Sequence, residues 1–357
     1  MQTVGMYSQS RIRKRMKGIK YITTLFALLL MIGSCHWHVL TPYKPIQLTR
    51  LEIKSPEYVP ILIEPADNLT TVEGAALGRK LYYDPELSSG GPLEGKACAS
   101  CHQQQFGFTL PGPKSPPVLP HVNLGWNQAF LWNGAKQGSL EDAMRFEVKD
   151  FFQIDLARIN ANDTYRKAFK EVFGMDEIDY NILAKALAQF LRTVNSFDSK
   201  IDAFLQGKGF LDESVLRGYE IFNSERGDCF HCHSIGLFTD GRFHNNGLDS
   251  VFNDFGEGLY AVTGNKNDLG KFKTPTLRNV ALRGPYMHDG RFSTLEEVVE
   301  FYNSGVVPSP TLDPIMTKPG KENGLRLSEQ DKTDLVNFMK ALTDSSFIRD
   351  TSLSNPW

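Results

Sequence analysis

The sequence predicts an all-α fold with long loops, and two stretches of the chain carry this prediction. Residues 182–191 and 335–342 place apolar side chains at helical spacing, and Ser328 precedes the second stretch as a helix N-cap. No segment alternates apolar and polar side chains convincingly enough to predict a sheet. A net charge of −2 gives no reason to expect binding to nucleic acid or to an anionic surface.

The first 35 residues have the pattern of a secretory signal. Basic residues between Arg11 and Lys20 precede an apolar stretch at 21–32, which is too short for a confident membrane-spanning helix. Gly-Ser-Cys follows and resembles a bacterial lipobox, with Cys35 as the lipidated first mature residue; a signal cleaved without lipidation is the alternative. We therefore expect a periplasmic lipoprotein anchored to a bacterial membrane at Cys35, with a tether over residues 36–65.

Each half of the remaining chain contains one Cys-x-x-Cys-His motif. Two thiols at this spacing attach haem through its vinyl groups, and the adjacent histidine binds the iron. Zinc-binding or redox-active cysteine pairs are the alternatives, but they do not explain a histidine after both pairs, and 131 residues separate the motifs. The motifs predict two covalently bound haem c groups. The residues that would hold them are Cys98, Cys101, His102, Cys229, Cys232 and His233.

One motif in each half predicts two domains. About 290 residues follow the tether, which suits two domains of ordinary size. Gly207-Lys208-Gly209 marks the expected boundary, so the first domain would cover 66–206 and the second 207–347. Long loops are unusual in compact domains, but a haem can supply the core on which they pack.

A second pattern occurs twice and indicates duplication. Segments 130–142 and 286–297 each contain two bulky apolar residues, an aromatic or histidine, an Asn-Gly or Asp-Gly turn, and a helix start with a Ser or Thr cap. Seven residues after the leucine of each helix start, the repeat aligns Glu147 with Tyr302, on the same helix face as the leucine. If that face meets the haem in one domain, it should meet the haem in the other.

Together with both motifs, three further stretches resemble the bacterial dihaem cytochrome c peroxidases and their MauG-type relatives. They are residues 243–248, 270–282 and 285–290, and the whole resemblance covers about residues 66 to 345. It implies two cytochrome c-like haem domains and reduction of hydrogen peroxide at the first haem. A small redox protein, a cytochrome c or a cupredoxin, would supply electrons through the second haem and Trp132. A core tryptophan beside a turn is the alternative for that residue.

The resemblance also implies a ligand for the second iron. Classical peroxidases have methionine fourteen residues after the histidine of their Tyr-x-His-Asp-Gly motif, whereas MauG-type members have tyrosine, and here that position is Tyr302. A phenolate stabilises ferric iron more than a thioether does. The alternative is a buried helix tyrosine, with Met287, Met316 or Met339 as the ligand.

At the first haem the chain departs from the family pattern. The positions of the family's proton-transferring glutamine and glutamate are Ala143 and Gln153, neither of which is an effective acid or base. The repeat offers Glu147 as a substitute, with a surface glutamate as the alternative. His121 is a further candidate as a ligand of the first iron, although its spacing differs from the family's.

The resemblance leaves other properties as expectations. It implies calcium between the domains, held partly by backbone carbonyls near Arg283 and Pro285, although the family's usual asparagine is missing. A homodimer is a further open expectation, since the sequence does not give the oligomeric state. A MauG-type oxidase acting on a protein partner is the second enzymatic hypothesis, and a two-haem electron-transfer protein is the non-enzymatic one.

Overall fold

The computed structural model describes residues 46–112, 115–321 and 324–357. The predicted signal, Cys35 and the first part of the tether lie outside the described residues. In the described part, no helix has both the length and the apolar character needed to cross a bilayer. Helices predominate there, as predicted, and the strands form only two short antiparallel pairs.

Eleven α-helices occur in the described chain, and their lengths differ widely. They are α1 (Val72–Tyr83), α2 (Cys98–Cys101), α3 (Leu140–Phe146), α4 (Leu156–Ala161), α5 (Asp163–Phe173), α6 (Tyr180–Leu191), α7 (Lys200–Leu205), α8 (Glu213–Phe222), α9 (Tyr260–Thr263), α10 (Leu295–Glu300) and α11 (Glu329–Ala341). The strands are β1 (Ala129–Phe130), paired with β2 (Lys136–Gln137), and β3 (Phe243–His244), paired with β4 (Phe272–Lys273).

Two hydrophobic cores are built in the same way. In the first, α1 packs on α6; in the second, α8 packs on α11. Each pair approaches closely at a glycine, because a Cβ at Gly78 would lie 2.0 Å from the Ala186 carbonyl oxygen and one at Gly218 would lie 2.0 Å from that of Asp334. The same close crossing in both halves supports the duplication inferred from sequence.

The repeated turn-helix units also fold alike. Ser139 and Thr294 cap α3 and α10, each accepting the backbone N–H three residues ahead, as the sequence predicts. Both helices then widen into a five-residue π-helical turn, at 147–151 and 301–305. Such turns often occur at functional sites, and Glu147 and Tyr302 lie at these two places.

The ends of the described chain pack against its body. Tyr58, from the predicted tether, donates to Asp202 at 2.7 Å, and the fully buried Asp202 also receives a bidentate Arg278. At the other end, Phe347 and Leu353 are buried in the first core, although they follow the second half of the chain. The second core likewise includes Ile201, which precedes the expected boundary.

Candidate functional site

The two Cys-x-x-Cys-His motifs lie in separate cores. Cys98 packs against the first core and Cys229 against the second, so the two cysteine pairs cannot form one zinc site together. None of the four motif cysteines forms a disulfide in the described chain. The first motif forms α2, and the second begins with a short 3₁₀ turn, Cys229–His231.

Both motif histidines are held for metal binding by the same backbone contact. The Nδ1 atom of His102 lies 3.1 Å from the Phe108 carbonyl oxygen, and that of His233 lies 2.9 Å from the Phe238 carbonyl oxygen. This contact fixes the ring and leaves Nε2 to bind a metal. Burial lowers the pKa of both imidazoles to about 4, so both rings are neutral near pH 7, as a ligand must be.

A large cavity adjoins the second motif. Its volume is about 570 Å³, and Cys229, Cys232 and His233 contribute to its wall. The wall also contains Lys273 and Arg283, whose side chains are bonded only to carbonyl oxygens within the described chain: Lys273 Nζ to Thr274 at 3.4 Å, and the Arg283 guanidinium to Thr276. Arg283 Nε has no partner there.

These two cations test whether the cavity suits a haem. Burial lowers the pKa of Lys273 to about 8 and that of Arg283 to about 10; the Asp240 carboxylate opposes the shift at Lys273, but neither cation forms an ion pair within the described chain. A haem brings a large apolar ring and two propionate carboxylates. The thiols, the fixed imidazole and the unpaired cations therefore fit this group.

Tyr302 lines the same cavity and is held by an amide. Asn246 Nδ2 donates to Tyr302 Oη at 3.0 Å and also lies 3.7 Å from the Met287 sulfur. Burial raises the pKa of the Tyr302 phenol to about 12, and the Asn246 hydrogen bond opposes this rise. Met287, Met316 and Met339 line the cavity as well, so each of the ligands proposed for the second iron is present in its wall.

Trp132 connects the first half of the chain to the cavity beside the second motif (the second cavity). It comes from the first repeat unit, yet it contributes to the wall of the cavity beside His233. Two hydrogen bonds fix it: its Nε1 donates to the Pro117 carbonyl oxygen at 2.8 Å, and its own carbonyl accepts the Lys273 N–H at 2.8 Å. The indole is therefore anchored to the loop at Pro117, and the backbone of Trp132 to strand β4.

The candidate acid–base residues of the first half occupy different environments. Glu147 lies near Cys98 and Tyr82, and burial raises its pKa to about 7. Ala143 is buried in the first core. Gln153 has an exposed side chain and a left-handed backbone with φ of 52°, which places it at the surface.

His121 lies directly against the first motif histidine. The His102 and His121 rings stack with centroids 3.4 Å apart and planes 11° from parallel. His121 Nδ1 is 3.2 Å from Tyr82 Oη. The family resemblance offers His121 as a ligand of the first iron, and the structure places its ring against His102.

Sequence reasoning did not identify Lys273, Arg283 or Asn246 as site residues. All three belong to the stretches that carry the family resemblance or lie next to them, and membership of these stretches was the usable signal. Their contacts with the cavity depend on loops, which residue spacing does not specify.

Fold and sites together define a mostly helical protein with two Cys-x-x-Cys-His sites, each with its histidine fixed by a backbone carbonyl, and with a cavity suited to c-type haem beside the second. Residues 72–209 match the family model described as di-haem cytochrome c peroxidase. The methylamine utilization protein MauG of Methylorubrum extorquens is 35% identical over 317 residues, covering 82% of this chain and 84% of that protein. The cytochrome c551 peroxidase of Nitrosomonas europaea is 33% identical, covering 63% of this chain and 71% of its own.

Solved structures agree with these relatives. A MauG-like protein associated with microbial copper homeostasis is 32% identical with a TM-score of 0.75, covering 86% of this chain and 99% of that one. The diheme peroxidase BthA of Burkholderia thailandensis shares the fold at 19% identity, with a TM-score of 0.64 and coverage of 85% and 97%. The chain therefore belongs to the dihaem cytochrome c peroxidase and MauG family, and it is an oxidoreductase of the dihaem class.

Proposed function

We propose that this protein reduces hydrogen peroxide at its first haem, with electrons passed through the second haem and Trp132. Each half would be one cytochrome c-like domain, over about 66–206 and 207–347. The first haem would be held by Cys98, Cys101 and His102. The second would be held by Cys229, Cys232 and His233, with Tyr302 as its other axial ligand. When bound, the haems supply the redox-active irons.

The position of Trp132 carries this proposal. An indole from the first repeat unit forms part of the second cavity's wall; its Nε1 donates to the Pro117 carbonyl, and the Trp132 backbone carbonyl accepts the N–H of Lys273 from the second half of the chain. An extended π-system held there suits electron transfer between the two sites. Two electrons and two protons convert one peroxide into two waters, so the first site also needs a proton donor.

Glu147 is the proposed proton donor. With a pKa of about 7 it is partly protonated near neutral pH, which suits a group that both gives and takes up protons. Gln153, the other residue considered from sequence, has an exposed side chain that cannot ionise. We therefore assign proton transfer to Glu147 and no proton-transfer role to Gln153.

Steady-state kinetics test the assignment of Trp132. The holoprotein is mixed with a reduced small cytochrome c and hydrogen peroxide, and oxidation of the donor is followed optically. Trp132→Phe should slow turnover while leaving both haems attached. Trp126→Phe is the matched control, because Trp126 bonds to the Pro60 carbonyl outside the cavity. Equal rates in wild type and both variants would contradict the relay role.

Oxidation of a protein partner is the second candidate function. Tyr302 and its hydrogen bond from Asn246 favour it, because an anionic oxygen ligand stabilises oxidised iron. The two functions differ in their reductant. A protein that consumes peroxide without oxidising any small cytochrome or cupredoxin, and that oxidises a side chain of a partner, would support this candidate instead.

The setting of the reaction follows from the N-terminal sequence. We propose export to the periplasm and a lipid anchor at Cys35, which would place the enzyme where c-type haem and small redox donors occur. Calcium binding through carbonyls near Arg283 and Pro285 stays a prediction of the family resemblance, and a homodimer stays an open expectation.

A further inference from the structure

The internal repeat isolates one difference between the two motif histidines. Phe108 and Phe238 both have left-handed backbones, with φ of 58° and 52°, and both carbonyls face the Nδ1 of a motif histidine. Each carbonyl also accepts a backbone N–H, from His121 in the first half and from Leu277 in the second. His121 and Leu277 are therefore structural equivalents.

This equivalence places an imidazole where the other half has an aliphatic side chain. Leu277 contributes to the apolar wall of the second cavity. His121 instead stacks face to face on His102, with ring centroids 3.4 Å apart.

Tyr82 completes a closed set of contacts around the first ligand. Its buried hydroxyl lies 3.2 Å from His121 Nδ1 and 3.4 Å from the His102 carbonyl oxygen. One arrangement of protons satisfies both contacts: His121 Nδ1–H donates to Tyr82 Oη, and the Tyr82 hydroxyl donates to the carbonyl. The second imidazole is thus tied to the backbone of the residue on which it stacks.

We propose that His121 is a positioning residue for the first haem, acting through His102. Stacking and the Tyr82 hydrogen bond restrict rotation of the His102 ring, which already has Nδ1 bound to Phe108. A polar ring beside the ligand also favours the ferric state, because ferric haem carries one more positive charge than ferrous haem. The second haem, with Leu277 at the equivalent place, lacks both effects. The inference depends on the proposed haem attachment at Cys98, Cys101 and His102.

The test replaces His121 by leucine, the residue type at the equivalent position 277 in the second half. We expect two changes at the first ferric haem of the His121→Leu holoprotein. Its electron paramagnetic resonance signals should shift in g-value and broaden, and its reduction potential, measured by spectroelectrochemical titration, should rise. Tyr82→Phe should shift both in the same direction and by less, because the stacked ring stays. The second haem, observed in the same samples, should not change.

Unchanged g-values and an unchanged potential of the first haem in His121→Leu would overturn the proposal. If that variant fails to take up the first haem, Tyr82→Phe decides by the same two measurements, because it keeps both rings and removes only the hydroxyl. Wild-type protein that holds a single haem would contradict the proposed function, so the two failures are distinguishable.

Discussion

Replacing Glu147 by glutamine removes the proposed proton donor at nearly constant size. In the wild type, burial raises the pKa of this carboxyl from 4.5 to about 7. At pH 8 roughly a tenth of the molecules then keep the proton, so peroxide turnover should fall about tenfold for each further pH unit. Glu147→Gln should lower kcat/KM by roughly 10²- to 10⁴-fold at pH 6, the usual effect of losing a general acid. It should also abolish the decline of turnover with rising pH above about 7.

The same shift in pKa has a consequence for stability. Because the folded-state pKa is raised, the contribution of Glu147 to stability is complete below about pH 4.5 and is lost as the pH rises through 7. The ionised carboxylate is disfavoured by about 3 kcal/mol in the folded protein. Glu147→Gln should therefore resist unfolding better than wild type at pH 8, even though it is less active.

Stopped-flow kinetics across pH 5 to 9 supply the assay, with Asp150→Asn as the control. Asp150 is an exposed carboxylate in the same π-helical turn, so its loss should leave the profile unaltered. If Glu147→Gln kept the wild-type rate and the same alkaline decline, Glu147 would not be the proton donor and the reasoning from its burial would fail.

Three further changes have defined outcomes. Tyr302→Met should raise the reduction potential of the second haem and alter its ferric spectrum, because a thioether replaces a phenolate; a spectrum identical to wild type would remove Tyr302 from the ligand set. Gly218→Ala should destabilise the second core by about 1–3 kcal/mol in denaturant unfolding, because its Cβ would meet the Asp334 carbonyl, whereas Gly256→Ala, with nothing within 4 Å, should have little effect. Asp202→Asn should cost roughly 3–5 kcal/mol, since Arg278 would be left buried without its counter-charge; a loss below 1 kcal/mol, a typical exposed ion pair, would argue against this.

Features set by local spacing could be predicted from sequence. The Ser139 and Thr294 caps, and the alignment of Glu147 with Tyr302, depend only on residues a few positions apart. The structure then placed Tyr302 in the second cavity and Glu147 near Cys98, as one face of each repeated helix would require.

Contacts between side chains that are distant in sequence and lie in loops could not be predicted in this way. The stack of His121 on His102 joins residues separated by 19 positions, and the Asn246–Tyr302 bond joins residues 56 positions apart. Neither pair has a regular period that sequence reading could use. The resemblance could therefore offer His121 as an iron ligand but could not show that its ring stacks on His102.

The last residues of the chain complete a core that begins near residue 72. Arg79 Nε donates to the Ser354 carbonyl at 2.6 Å, and Gln104 donates to the Asp350 carbonyl at 2.8 Å, while Phe347 and Leu353 fill the first core. Because synthesis proceeds from the N-terminus, this core cannot close until residues 347–354 have been made. The half that would bind peroxide is thus translated before the second half, but its hydrophobic core is completed after it. A fragment ending near residue 206 would lack Phe347 and Leu353 from that core.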